Sequence, residues 1–245
     1  MTILLLASCA AFAGAFLSAC IGLGGGTLFI ACLYLVFEPL EAIALHGLIQ
    51  TVNNGARFFA FRQAAVFTVI RPFMMALLPA VAMGWVLLGM LDNTVLRGLL
   101  GGFVLLSLTT SLFHRMIPTP VGWFGIGFGA TLSSMLVGAA DPALAPFFLG
   151  KRFERRQIIA TKAACQLATH LPKVALFASL GFEGQDPFPY QDYTGVLAAM
   201  LLSVLLGVMV GKKTQVNPSV FRRLYRGTLL VLGLKLLVWD ALLAG

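Results

Sequence analysis

Two trios of polar side chains interrupt an otherwise apolar chain: Gln50, Asn54 and Arg57, then Gln166, His170 and Lys173. Spacings of four and then three residues put each trio on a single helix face, about two turns long. Arg57 offers forked donors, Lys173 a point charge, His170 a titratable imidazole, and the three carboxamides neutral donors that orient oxygens. That combination suits an anion, and an oxyanion such as sulfite or a sulfonate matches the donor set. In the competing reading Arg57 and Lys173 lie near helix ends and snorkel to lipid headgroups, while the amides tie helices together.

Two helix interruptions accompany the trios. Gly24, Gly25 and Gly26 end the break Gly22 to Gly26 and precede Thr27. Their backbone N–H groups, at the start of a new helix, add partial positive charge that an anion would meet. Small residues also mark tight helix packing, so these glycines carry both readings. The second break is Gly138-Ala139-Ala140-Asp141-Pro142. Asp141 before a proline suits the N-cap of a short helix starting at Pro142. The same carboxylate is a partner for Lys162 or Lys173, or a carrier of a coupling proton together with His170. His46 reads as a buried imidazole satisfied by a carbonyl.

The elements that hold these residues must be transmembrane helices. Of 245 residues 59% are hydrophobic and only 11% charged, with a mean hydropathy of +0.94, which defines an integral membrane protein. A net charge of +8 would suit nucleic acid, but Lys and Arg fall mainly in short connections, where they set topology and meet headgroups. No nucleic-acid partner, cofactor or metal is expected, and a homo-oligomer is left open. Cys9, Cys20, Cys32 and Cys165 lack metal-ligand spacing and read as packing residues. No Lys or Arg precedes Arg57, so a basic leader region is missing and the N-terminus is expected to be a mature helix.

Apolar runs cover about 3–22, 25–37, 40–61, 72–91 and 94–113, then 121–137, 142–150, 157–180, 194–211 and 219–243. Whether the short runs 25–37 and 142–150 cross the membrane is open. The two sets of five match at slowly growing offsets. A shift of 115 puts Ser18 on Ser133 and Gly26 on Asp141, one of 116 puts Gln50 on Gln166, His46 on Lys162 and Arg57 on Lys173, and one of 125 puts Arg97 on Arg222. Equivalent connections carry opposite charge: Glu38 and Glu41 against Lys151, Arg152, Arg155 and Arg156, then Arg62 and Arg71 against Glu183, Asp186 and Asp192. Under the positive-inside rule such loops lie on opposite sides, so the expected fold is an all-α bundle of two inverted repeats, 1–117 and 118–245, in a single membrane domain. Connections 62–71, 114–120, 151–157 and 212–218 are then cytoplasmic, and 38–41, 92–93 and 181–193 outside. Each half opens with a hairpin-like helix pair.

Gly14-Ala15-Phe16-Leu17-Ser18-Ala19-Cys20-Ile21-Gly22-Leu23-Gly24-Gly25-Gly26, followed by Glu41 to Ala44, resembles the opening glycine motif of the sulfite exporter TauE/SafE family, also described as the 4-toluene sulfonate uptake permease family. Ala160-Thr161-Lys162-Ala163, leading to His170-Leu171-Pro172-Lys173, resembles the corresponding later stretch. The likeness covers nearly the whole chain. It implies a bacterial inner-membrane carrier for sulfite, sulfonates such as sulfoacetate, or related small organic anions. Ala31 stands where the family often has Pro, and the second glycine motif is degraded. Three functions follow for comparison: an alternating-access transporter, an anion channel, and an intramembrane enzyme. The enzyme is disfavoured because Asp141 has no nearby carboxylate partner, Asp240 lying at the far end of the last run, and neither Ser18 nor Ser133 has an activating signature.

Overall fold

A computed structural model describes residues 2–21, 24–108, 118–148, 153–180, 190–214 and 218–243. Gly22, the connection 181–189, and parts of the connections at 114–120, 151–157 and 212–218 lie outside the described residues. The described chain is all-helical: α1 (Thr2–Ile21), α2 (Gly25–Leu33), α3 (Pro39–Phe61), α4 (Phe67–Met75), α5 (Leu77–Leu88), α6 (Asn93–Ser107), α7 (Pro120–Val137), α8 (Asp141–Leu144), α9 (Arg155–Leu180), α10 (Tyr190–Lys213) and α11 (Pro218–Leu234). Single 3-10 turns follow α3 and α8, and α11 widens into π-helical turns over Lys235–Leu243.

Helix starts carry the signals their sequences announce. Glu38 and Glu41 form a reciprocal capping box before Pro39, Asp92 accepts from the Val95 N–H at 2.8 Å, and Thr119 caps the helix that begins at Pro120. The two breaks turn on glycines in the left-handed region, Gly24 at φ 83° and Gly138 at φ 80°, where a side chain would be strained. The segments beyond these breaks are short. Nine residues of α2 rise about 14 Å, less than half of a roughly 30 Å hydrocarbon core, and α8 with its 3-10 turn is shorter still. Neither crosses a bilayer.

One expected span is divided. The run 72–91 begins earlier, so Arg71 lies inside α4 instead of in a connection, and the run bends by 45° between α4 and α5. Pro79 lacks the N–H that would bond to the Met75 carbonyl, so the helical ladder cannot continue through Ala76.

Small residues set the packing. Ala7, Ala11, Ala15 and Ala19 recur every four residues on the buried face of α1, against which α10 lies parallel. There a Cβ on Gly207 would stand 2.6 Å from the Phe12 carbonyl, and one on Gly211 2.5 Å from that of Phe16. Helices α4 and α5 lie on α7 in the same way, with Gly127 against Phe73 and Gly84 against Met135. Such close approach is how helices associate where no hydrophobic drive separates them from lipid. Helices α3 and α9 pack closely on one another.

The outside is apolar: Leu78, Val86, Met90, Val121, Leu202, Met209 and Trp239 are exposed. The inside holds sixteen buried polar or charged side chains among the described residues, and most of the charged ones belong to α3 and α9. By length and composition α7 and Thr194–Lys213 could each cross a membrane unaided, and α4 with α5 forms a third span if counted as one bent helix. With 23 and 26 residues α3 and α9 are long enough, and their polar stripes account for their lower hydropathy.

Candidate functional site

The stripe on α3 is fully inside the protein: Gln50, Asn54 and Arg57 are buried, with Arg57 only 1% exposed. Snorkelling to headgroups is thereby ruled out for Arg57, and equally for Lys173 at 0%. Arg57 Nη2 donates to Asn54 Oδ1 and, at 3.3 Å, to Gln166 Oε1 on α9, while Nη1 donates to the Ser18 carbonyl of α1 at 3.5 Å. Its Nε has no partner. Asn53 and Asn54 donate to Gln50 Oε1 at 2.8 and 3.4 Å, which fixes the orientation of that amide.

Gln166 is turned the same way. Its oxygen accepts from Arg57, so its nitrogen donates to Asp141 Oδ1. Asp141 also forms an ion pair with Lys162 at 2.7 Å, both side chains being almost fully buried. A continuous chain of bonds therefore runs from Lys162 through Asp141, Gln166, Arg57 and Asn54 to Gln50. Asp141 does not take the capping role expected of it. Ala140 occupies the N-cap of α8 without a side-chain bond, because the carboxylate is turned towards Lys162 and Gln166. In hydrocarbon an ion pair is worth more to a buried lysine than a cap is to one helical turn.

Lys173 and His170 meet elsewhere. Lys173 Nζ donates to the carbonyl and the hydroxyl of Ser134, both at 3.2 Å, and His170 Nδ1 lies 3.5 Å from the same hydroxyl. The His170 ring stands edge-on to His46 at 5.4 Å, and His46 Nε2 bonds to the Gly26 carbonyl at 3.0 Å, so the expectation of a carbonyl-satisfied histidine holds. The Gly26 carbonyl can only accept, which puts the His46 proton on Nε2.

The two stripes do not converge on one point. A Cβ on Gly47 would stand 2.7 Å from Lys173 Cε and 3.3 Å from Val174, whereas Arg57 meets Gln166. Going up α3 means going down α9, so the helices are antiparallel and their cations lie towards opposite ends of the contact. Periodicity names a helix face but not the level at which two faces meet, and that level is set by the packing of α3 on α9.

The glycines divide by role. Gly25 has no room for a side chain, since a Cβ there would stand 2.0 Å from the Gly14 carbonyl and 2.2 Å from Ser18 Oγ. It is a packing residue between α1 and α2. Gly26 borders the polar network, with its Cβ position 3.2 Å from Gln50 Nε2 and 3.5 Å from Asp141 Oδ2. Ser134 was not foreseen. The shift of 116 that maps Arg57 onto Lys173 also maps Ser18 onto Ser134, one residue beyond the Ser133 expected, and that was the available signal.

Lipid-facing apolar residues around a charged interior, with two half-length helices ending beside it, define a polytopic membrane protein built to pass a polar solute. The chain belongs to the sulfite exporter TauE/SafE family, whose model matches residues 6–236. It is accordingly a multi-pass membrane transporter and not an enzyme. No curated protein and no solved structure matches the chain.

Proposed function

We propose that the protein moves small anions, namely sulfite, sulfonates such as sulfoacetate, or related sulfur oxyanions, across the bacterial inner membrane by alternating access. The observation that carries this reading is a charge imbalance: among the described residues, Arg57, Lys162 and Lys173 are buried cations and Asp141 is the one buried carboxylate. Neither Arg57 nor Lys173 has a carboxylate partner among the described residues. Uncompensated charge in a low-dielectric interior is costly, and an anionic solute supplies the missing countercharge. Gln50, Asn54, Gln166 and His170 orient its oxygens, with the backbone at Gly24 to Gly26 bordering the path. Asp141 and His170 are the candidates for a coupling proton.

Rocking of two inverted repeats, 1–117 and 118–245, around this path is the proposed mechanism. Equivalent contacts in the two halves support it. The pairing of α1 with α10 matches that of α7 with α4 and α5, the third helices α3 and α9 are antiparallel, and the bond of His46 to Gly26 occupies the positions of the Lys162 to Asp141 pair. Flux of labelled sulfite and sulfoacetate into proteoliposomes is the test. Transport by the wild type that falls at least tenfold in Arg57→Ala and Lys173→Ala is expected. Unchanged flux in both variants overturns the site, and currents well above carrier turnover replace the carrier with a channel.

A further inference from the structure

We infer that the path holds two separate anion subsites, each for one monoanion, rather than a single site shared by both cations. This rests on the transport reading above and specifies what that path carries. The first observation is separation. The Arg57 guanidinium is bonded to Asn54, and Lys173 lies against Gly47, seven residues and about 10 Å further down α3. A single sulfite or sulfonate group, whose oxygens share one central atom, does not reach both.

The second observation is repetition. Arg57 donates to the carbonyl of Ser18 and Lys173 to that of Ser134, and in both cases donor and acceptor are 39 residues apart. Each cation is thus held in the same way, at the first helix of its own half, by neutral acceptors. On α9 His170 lies between Gln166 and Lys173; its ring stands edge to face with His46 at 5.4 Å, and Phe29 is tilted against His46, also at 5.4 Å.

Charge then sets the capacity of each. At the first, Arg57 and Lys162 face Asp141, a net charge of one positive unit linked through Gln166. At the second, Lys173 supplies one positive unit, held by the carbonyl and hydroxyl of Ser134. One monoanion neutralises each. The first subsite also has an unfilled donor: Arg57 Nε, buried and without a partner, can only donate and awaits an acceptor oxygen.

Equilibrium dialysis of the detergent-purified full chain measures the stoichiometry, with labelled methanesulfonate, a fixed monoanion, and labelled sulfite as probes. Two ions per chain are expected for the wild type, and one for Arg57→Gln and for Lys173→Gln, each variant checked by size-exclusion chromatography. Arg57→Met and Lys173→Met replace either variant that is not monodisperse, and the same fall to one is expected. Saturation at one ion per chain, with either substitution abolishing it, overturns the two-subsite arrangement and leaves the transport reading standing. Transport without any dialysable binding also overturns it, whereas neither binding nor flux of either probe removes the transport reading as well.

Discussion

Lys173 reaches the backbone carbonyl of Ser134 at 3.2 Å, and the relationship recurs between Arg57 and Ser18 at 3.5 Å with the same sequence separation. Both members of each pair move together under a shift of 116, so what repeats is a contact and not only a residue type. The cations differ in consequence. Arg57 is drawn into a chain of oriented amides, while Lys173 stays with one serine and a histidine neighbour.

The first prediction concerns geometry at Arg57. Lysine retains the charge but cannot serve Ser18, Asn54 and Gln166 with one planar fork. Charge-assisted hydrogen bonds are each worth about 1.5–3 kcal/mol, so Arg57→Lys is expected to lower initial flux by roughly 10- to 100-fold. Wild-type flux from Arg57→Lys would mean that charge alone suffices there.

The buried pair gives a second. Asp141→Asn leaves Lys162 charged inside the bundle without its carboxylate, and breaking a buried pair in this way costs about 3–5 kcal/mol. A lowered thermal midpoint is expected in detergent, and the double variant Asp141→Asn, Lys162→Met should recover most of it. Should the double variant melt no higher than the single one, the pair is not the source of the loss.

Glycine positions separate packing from open space. In Gly25→Ala the new methyl overlaps the Gly14 carbonyl and Ser18 Oγ, forcing α1 and α2 apart at a cost of about 1–3 kcal/mol or more. Gly55→Ala meets nothing within 4 Å in the middle of α3 and should gain about 0.5–1 kcal/mol from reduced backbone freedom. Melting curves of the two variants, shifting in opposite directions, are the check.

Topology is testable independently of transport. Reporters fused after residue 153 or 212 should be cytoplasmic, and reporters after residue 40 or 92 should lie outside. A periplasmic signal from residue 153 or 212 would remove the inverted-repeat arrangement.

The membrane class, the two breaks at Gly24 and Gly138, and the polar stripes on α3 and α9 were all legible in the sequence, because hydropathy, turn chemistry and helical period are local properties of the chain. The division of 72–91 was legible in principle, since Pro72 and Pro79 flank the bend, but apolarity alone ran straight through it. What only the tertiary structure decided was partnership. It turned Asp141 from a helix cap to Lys162 and Gln166, brought Ser134 to Lys173, and filled the place of a Gly25 side chain with the Gly14 carbonyl. It also set Arg57 and Lys173 at different levels of the contact between α3 and α9. The physical reason is that a helix face follows from residue spacing within one segment, whereas the level and direction at which two faces meet depend on the whole packed bundle, where small residues on α1, α7 and α10 allow close approach and buried polar groups bond to whichever partners the packing brings within reach.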